Sequence, residues 1–142
     1  MTEDFLDLKN QLCFPIYVLA KEIINQYRPL LEDLDVTYPQ YLVLMVLWNE
    51  EEQTVGQLGE KLFLDSGTLT PLLKRMEHKE MIIRKRSLDD ERVVNLSLTP
   101  KGKALKEQAK DIPLRLVASM GISESELIDL KNIVTKILNK QK

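Results

Sequence analysis

The chain is poor in the residues on which metal and redox chemistry usually rest: its 142 residues include one cysteine, Cys13, and one histidine, His78. A single cysteine excludes an intramolecular disulfide framework and a paired-cysteine metal site. It fits a reducing compartment better than a secreted scaffold, so a cytoplasmic location is expected. No cluster of His, Cys, Asp and Glu has ligand spacing, and neither a metal nor another cofactor is expected. Glycine is scarce, and Gly56-x-x-Gly59 is too short for a phosphate-binding fingerprint. No apolar run approaches the roughly 20 residues that cross a bilayer. The start, MTEDFLDLKN, is acidic and polar where a signal peptide is basic and then apolar, so no membrane association and no export are expected.

What is present, 44% hydrophobic and 30% charged residues, suffices for one compact domain, or one domain plus helices reserved for pairing. The net charge of −2 conceals an uneven distribution. Residues 66–103 carry nine Lys and Arg against five Asp and Glu, a local +4, and the remainder of the chain stands at −6. A charge run is more often a solvated face than a nucleic-acid surface, so the surrounding pattern decides.

Leu8, Leu12, Ile16, Leu19, Ala20, Ile23, Ile24, Tyr27 and Leu31 recur at helical spacing and predict a long amphipathic helix. Pro15 interrupts it. A proline inside a helix removes one backbone bond and crowds the carbonyl four residues earlier, here Gln11, so either a kink beside Cys13 or a helix starting there follows; a kink is expected. Thr37 or Tyr38 ahead of Pro39 reads as the cap of a second helix carrying Leu42, Leu44, Met45, Leu47 and Trp48, ended by the polar residues 49–53. Thr54 can cap a short third helix with Val55, Leu58 and Leu62 on one face. Asp65 or Ser66 can cap a fourth with Leu69, Leu72, Leu73 and Met76.

Two short helices joined by Phe63, Leu64 and Asp65, the second basic on its outer face, form the pattern of a helix-turn-helix, although an ordinary packed helical pair has the same periodicity. With the four apolar residues inward, Thr68, Pro71, Lys74, Arg75 and His78 point outward. Ser66, Thr68 and Thr70 are small enough for close approach to DNA at a helix N-terminus that favours phosphate. Residues 81–87 and 92–98 are β-prone and are separated by the polar turn Leu88-Asp89-Asp90-Glu91, which predicts a hairpin wing. Arg84, Lys85 and Arg86 lie on its first strand and Arg92 opens the second. An arginine at the tip suits a narrow minor groove, and Asp90 can hold the Arg92 guanidinium in a charge-assisted fork. Thr99-Pro100 caps another helix. Leu105, Ala109, Ile112 and Leu116, and then Leu127, Leu130, Ile133, Val134, Ile137 and Leu138, mark two C-terminal amphipathic segments. Such spare apolar faces suit a homodimer matched to a two-fold operator.

The stretches NQLCF, LDSG followed by LTPLLKRME, DDERVV and LSLTPKG resemble the MarR-type winged helix-turn-helix regulators, and within them the one-cysteine organic-hydroperoxide-sensing OhrR group, over roughly Leu8 to Ile137. The resemblance implies a mainly α fold with a small β-hairpin wing: residues 1–34 and 104–142 as dimerisation helices and about 37–103 as the winged helix-turn-helix, all in one domain spanning 1–142. It places Ser66, Thr68, Thr70, Pro71, Lys74 and Arg75 at the recognition helix, and Asp90 and Arg92 in the wing, with Arg84 and Arg86 as further DNA-binding candidates. It also implies that Cys13 is the peroxide-reactive cysteine and that Tyr17, Tyr27 and Tyr38 group around it. Geometry bears on this separately: Tyr17 is one turn from Cys13, but Tyr27 is 14 residues on, about 21 Å along a straight helix, and cannot reach its own Cys13. A partner helix running antiparallel across a two-fold axis would bring it there, and the resemblance implies a sensor shared between protomers.

The attacking species at a peroxide oxygen is a thiolate, and a free thiol, with a pKa of about 8.5, is mostly protonated at neutral pH. Tyrosine hydroxyls donating hydrogen bonds favour the anion, whereas aliphatic neighbours oppose it but welcome an apolar hydroperoxide. The expectation is a repressor that binds a pseudo-palindromic double-stranded DNA operator when reduced. It is released when Cys13 becomes a sulfenic acid and then a mixed disulfide with a low-molecular-weight thiol, because no second cysteine can resolve it. The alternatives are a regulator of the same fold controlled by a non-covalent ligand, or a broader redox regulator of virulence or metabolism. A thiol peroxidase is disfavoured by the absence of an α/β pattern, and a Ser-His-Asp hydrolase by the charged surroundings of His78, so no catalytic residues are assigned.

Overall fold

The computed structural model describes residues 4–141, which divide at Lys110/Asp111 into two units. In the first, a 3-10 turn Leu8–Asn10 precedes α1 (Cys13–Leu31), a second 3-10 turn Glu32–Leu34, α2 (Tyr38–Asn49), β1 (Glu52–Thr54), α3 (Val55–Leu62), α4 (Ser66–His78), β2 (Ile82–Arg86), β3 (Val94–Leu98) and α5 (Pro100–Gln108). The second holds α6 (Ile112–Met120) and α7 (Glu124–Lys140).

Local side chains decide most of these boundaries. Thr37, Thr54, Asp65, Thr99 and Ser123 each accept a backbone N–H of the first turn that follows, satisfying a donor with no partner inside the helix. At Thr37, Thr54 and Ser123 a Gln or Glu three residues on returns the bond, completing a capping box. Pro39 and Pro100 occupy first-turn positions where a missing N–H costs nothing.

Pro15 obeys the same rule, and the expected kink is absent. The helix begins at Cys13, the preceding 3-10 turn ends at Gln11 in extended backbone, and Pro15 therefore stands third in α1, where its nitrogen has no intrahelical acceptor to lose. The continuous helix read from Leu8 is likewise split by that extended residue. The proline inside the helix is Pro29, in its last turn. A further difference is β1, formed within the polar stretch read as a helix end. It pairs with β3 at Gln53 opposite Leu96 and makes the wing's base a three-stranded antiparallel sheet in the order β1-β3-β2. Polar side chains do not forbid a strand whose partner supplies the ladder. β3 starts at Val94, so Arg92 lies in the turn rather than opening the strand.

The core of the first unit joins Tyr41, Val43, Leu44 and Leu47 of α2 to Leu58 of α3, all four apolar residues expected on α4, and Met81, Ile82, Leu96 and Leu98 around the sheet. Met45, expected on the buried face of α2, is exposed, and Val43 takes its place. Along α1, by contrast, Phe14, Ile16, Val18, Leu19 and Ile24 are exposed. In the second unit, Pro113 opens α6 and separates Ile112 and Leu116 from the helix of Leu105, so the two C-terminal segments expected are three helices. Gly121, at φ +69°, ends α6 in the left-handed conformation, and α7 leaves Ile128, Ile133, Val134 and Ile137 uncovered.

Candidate nucleic-acid interface and thiol site

The turn between α3 and α4 is tight for an identifiable reason. Phe63 adopts a left-handed conformation (φ +57°), and the Gly59 carbonyl accepts N–H bonds from both Phe63 and Leu64. A Cβ on Gly59 would stand 2.7 Å from the Leu64 carbonyl oxygen, so only glycine permits this closure. Asp65 then starts α4, its carboxylate accepting the Thr68 N–H at 2.9 Å, and the hydrogen bonds of Thr68 hold its carboxyl below the usual carboxylate range. With Leu69, Leu72, Leu73 and Met76 inward, Ser66, Thr68, Pro71, Lys74 and Arg75 are exposed and Thr70 is half-buried. The small residues occupy the first turns and the cations follow them.

β2 and β3 run antiparallel, Ile82 opposite Leu98 to Arg86 opposite Val94, and residues 87–93 form the wing turn. Asp90 accepts from the Arg92 backbone N–H at 3.0 Å, from Nε at 3.1 Å and from a terminal guanidinium nitrogen at 3.2 Å, which is the expected fork. Arg92 holds the Asp90 carboxyl below its ordinary range, while the Arg92 side chain itself stays 90% exposed. Arg86 donates to the Glu91 carbonyl at 2.8 Å and braces the turn. Arg84 lies differently: its guanidinium turns towards α4, 3.6 Å from the Glu77 carboxylate, with its Nε buried and unpartnered. It lines a cleft of about 390 Å³ with Thr70, Lys74, Glu77, Arg86 and Val94, between α4 and the wing.

Cys13 is the first residue of α1 and is exposed, at the positive end of the helix dipole. Tyr17 stands exposed one turn on, with the Lys21 ammonium 4.8 Å from its ring centroid. Tyr27 and Tyr38 are brought together across α1 and α2, ring centroids 4.5 Å apart. The fold therefore places Cys13 and Tyr17 in the first turns of α1 and Tyr27, paired with Tyr38 of α2, 14 residues beyond Cys13 on the same helix. Tyr41 completes the second group at 5.8 Å from Tyr27; sequence reading missed it, although its spacing of three from Tyr38 puts both on one helical face. Burial, and then the neighbouring Tyr38 and Tyr41, push the Tyr27 phenol up to about 12, so it remains a hydrogen-bond donor throughout the neutral range.

Among the described residues no group of three His, Cys, Asp or Glu is placed to hold a metal, and no helix is long and apolar enough to cross a membrane. The transcriptional regulator SarA/Rot family matches residues 25–109. Over 130 residues the chain is 52% identical to the organic hydroperoxide resistance transcriptional regulator of Bacillus subtilis, covering 92% of this chain and 86% of that one. The chain belongs to the MarR-type regulators, in the OhrR group. Solved structures of MarR-type regulators superpose on it closely. The reduced AbfR of Staphylococcus epidermidis bound to DNA matches with a TM-score of 0.78 and 32% identity over 95% of this chain and 94% of that one. A cysteine-to-serine variant of Escherichia coli MarR complexed with operator DNA matches with a TM-score of 0.81 and 26% identity over 96% and 99%. These relatives are transcriptional regulators, and the chain is accordingly a regulator and not an enzyme.

Proposed function

We propose that the protein is a homodimeric repressor that holds a pseudo-palindromic operator while Cys13 is reduced and releases it when an organic hydroperoxide oxidises that thiol. The observation that carries the reading is the placement of the single thiol, exposed on an uncovered apolar helix, in a chain that also exposes a helix start rich in small residues and an arginine-tipped wing. The regulators it resembles include one whose name records organic hydroperoxide resistance and one solved both reduced on DNA and with a disulfide formed.

Ser66, Thr68, Thr70, Pro71, Lys74 and Arg75 present the major-groove surface, with the start of α4 directed at a phosphate. Arg92, held extended by Asp90, enters the adjacent minor groove, and Arg86 stabilises the turn that carries it. Residues 37–103 form this reading head. The N- and C-terminal helices serve dimerisation, since the apolar faces of α1 and α7 are each left open in the single chain and a second copy would cover them. An antiparallel α1 from that copy brings Tyr27 and Tyr38 of one protomer to Cys13 of the other.

In the switch, the thiolate sulfur attacks one peroxide oxygen and the O–O bond breaks. The alkoxide takes a proton and leaves as an alcohol, and Cys13 becomes a sulfenic acid. A low-molecular-weight thiol of the cytoplasm then attacks that sulfur, forming a mixed disulfide and releasing water. Phenol donors that held the thiolate lose their acceptor, and the helices that set the separation of the two recognition helices shift. The test is operator binding by fluorescence anisotropy, with and without an organic hydroperoxide plus a small thiol. Wild type is expected to be released and Cys13→Ser to stay bound. Release of both alike would refute the thiol switch and point to a non-covalent ligand.

A further inference from the structure

One lysine links the end of the recognition helix to the bend that follows α1. Lys79, the residue that closes α4, donates from Nζ to the Asp35 carbonyl at 2.7 Å, with the Asp35 carboxylate 3.8 Å away. Asp35 ends the Glu32–Leu34 turn in a left-handed conformation (φ +56°), so its carbonyl direction is set by a bend and not by a regular ladder. Three residues on is Tyr38, first residue of α2, whose ring packs on Tyr27. A displacement of the tyrosine pair therefore has two routes to α4: the core packing of α2 on α4, and, at the C-terminal end of α4, a three-residue bend and a single side chain.

The other side of Lys79 is fixed. Its carbonyl accepts from Lys101 Nζ at 2.9 Å, and the next carbonyl, of Glu80, accepts from the Thr99 hydroxyl at 2.6 Å. The Met81 carbonyl accepts the Thr99 N–H at 3.1 Å and lies so near Gly102 that a Cβ there would stand 2.2 Å from it. The end of α4 is thus clamped to the start of α5, while towards α1 it extends one flexible stem. Beside that stem lies a cavity of about 480 Å³ lined by Ile24, Arg28, Leu31, Tyr38 and Lys79 among others. Close packing does not fill this space, so on this side the bond from Lys79 is the directional contact between the bend and the end of α4.

We propose that Lys79 is a positioning residue that sets the tilt of the recognition helix from the position of the Tyr27–Tyr38 pair. The proposal rests on the thiol-switch reading above. α4 is a 13-residue rod of about 19 Å, so a small shift at its C-terminal end changes how its N-terminal end meets the groove.

The experiment measures operator binding by anisotropy for reduced and peroxide-plus-thiol-treated protein, on the operator and on a version with one base pair inserted between half-sites. Wild type is expected to be released by oxidation and to bind the lengthened operator less well. Lys79→Met, and Lys79→Gln whose amide ends one bond short of the lysine nitrogen, should bind the reduced operator yet show an oxidative loss of affinity smaller by about fivefold or more, with a reduced spacing penalty. Lys79→Arg, which keeps a long donor, should restore both, and Asp35→Asn should resemble wild type because the carbonyl remains. Circular dichroism checks that each variant is folded. Wild-type release and spacing penalty in both Lys79→Met and Lys79→Gln would overturn the role of Lys79. A wild-type protein indifferent to peroxide would instead overturn the switch reading and the inference resting on it.

Discussion

At the residue scale the wing offers a clean separation of charge from positioning. Arg92 carries the positive charge at the tip, and Asp90 only fixes where that charge points. Arg92→Ala is therefore expected to weaken operator binding and to lower the slope of log affinity against log salt by about one unit, because one phosphate-neutralising cation is lost. Asp90→Asn keeps the cation but loses the charge-assisted fork, so affinity should fall while the slope stays at or above the wild-type value. Titrating both variants with salt decides it, and a slope unchanged in Arg92→Ala would remove Arg92 from the DNA. The Asp-x-Arg pair was legible in the sequence because its partners are two residues apart. The direction of Arg84 was not, because its partner, Glu77, lies on another element.

At the element scale, the starts of α2, α3, α4 and α5 follow from cap residues that act within one turn, and all four were readable from the chain. So was the buried face of α4, whose period of three and four is intrinsic to the helix. Pro15 shows where such local rules mislead: whether a proline kinks a helix or merely begins one depends on where the helix starts, and the extended residue Gln11 decides that. β1 was invisible because three polar residues form a strand only when β3 is alongside. Element packing also makes a prediction. Gly102 in α5 sits against the Met81 carbonyl, and Trp48 Nε1 donates to the Gly102 carbonyl at 2.9 Å. Gly102→Ala should therefore destabilise by about 1–3 kcal/mol despite alanine's better helix propensity, as a backbone atom cannot rotate out of the way. Urea unfolding would show it, and a stabilised variant would mean that α5 can slide.

At the scale of the whole molecule, the uncovered apolar stripes are the dominant feature. Ile133 of α7 is 58% exposed, too costly in water for a stripe of such residues to remain uncovered. Ile133→Glu is expected to convert the proposed dimer to a monomer in analytical ultracentrifugation, with helical circular dichroism largely kept and operator affinity reduced by more than tenfold, since two half-sites would no longer be held by one particle. A dimer that persists would place the pairing surface elsewhere.

By itself the sequence determined the helix caps, α4 with its inward and outward faces, the wing turn with its Asp90–Arg92 fork, and the isolation of one thiol in a chain without a second. All of these depend on residues within a few positions of one another, where backbone geometry alone sets what meets what. Only the tertiary structure decided that Tyr27 and Tyr38 join Tyr41 in one cluster, that Arg84 turns inward, that β1 completes the sheet, and that Lys79 reaches back 44 residues to Asp35. Those contacts join elements far apart in the chain, and their partners are selected by how the helices pack and not by any period within them.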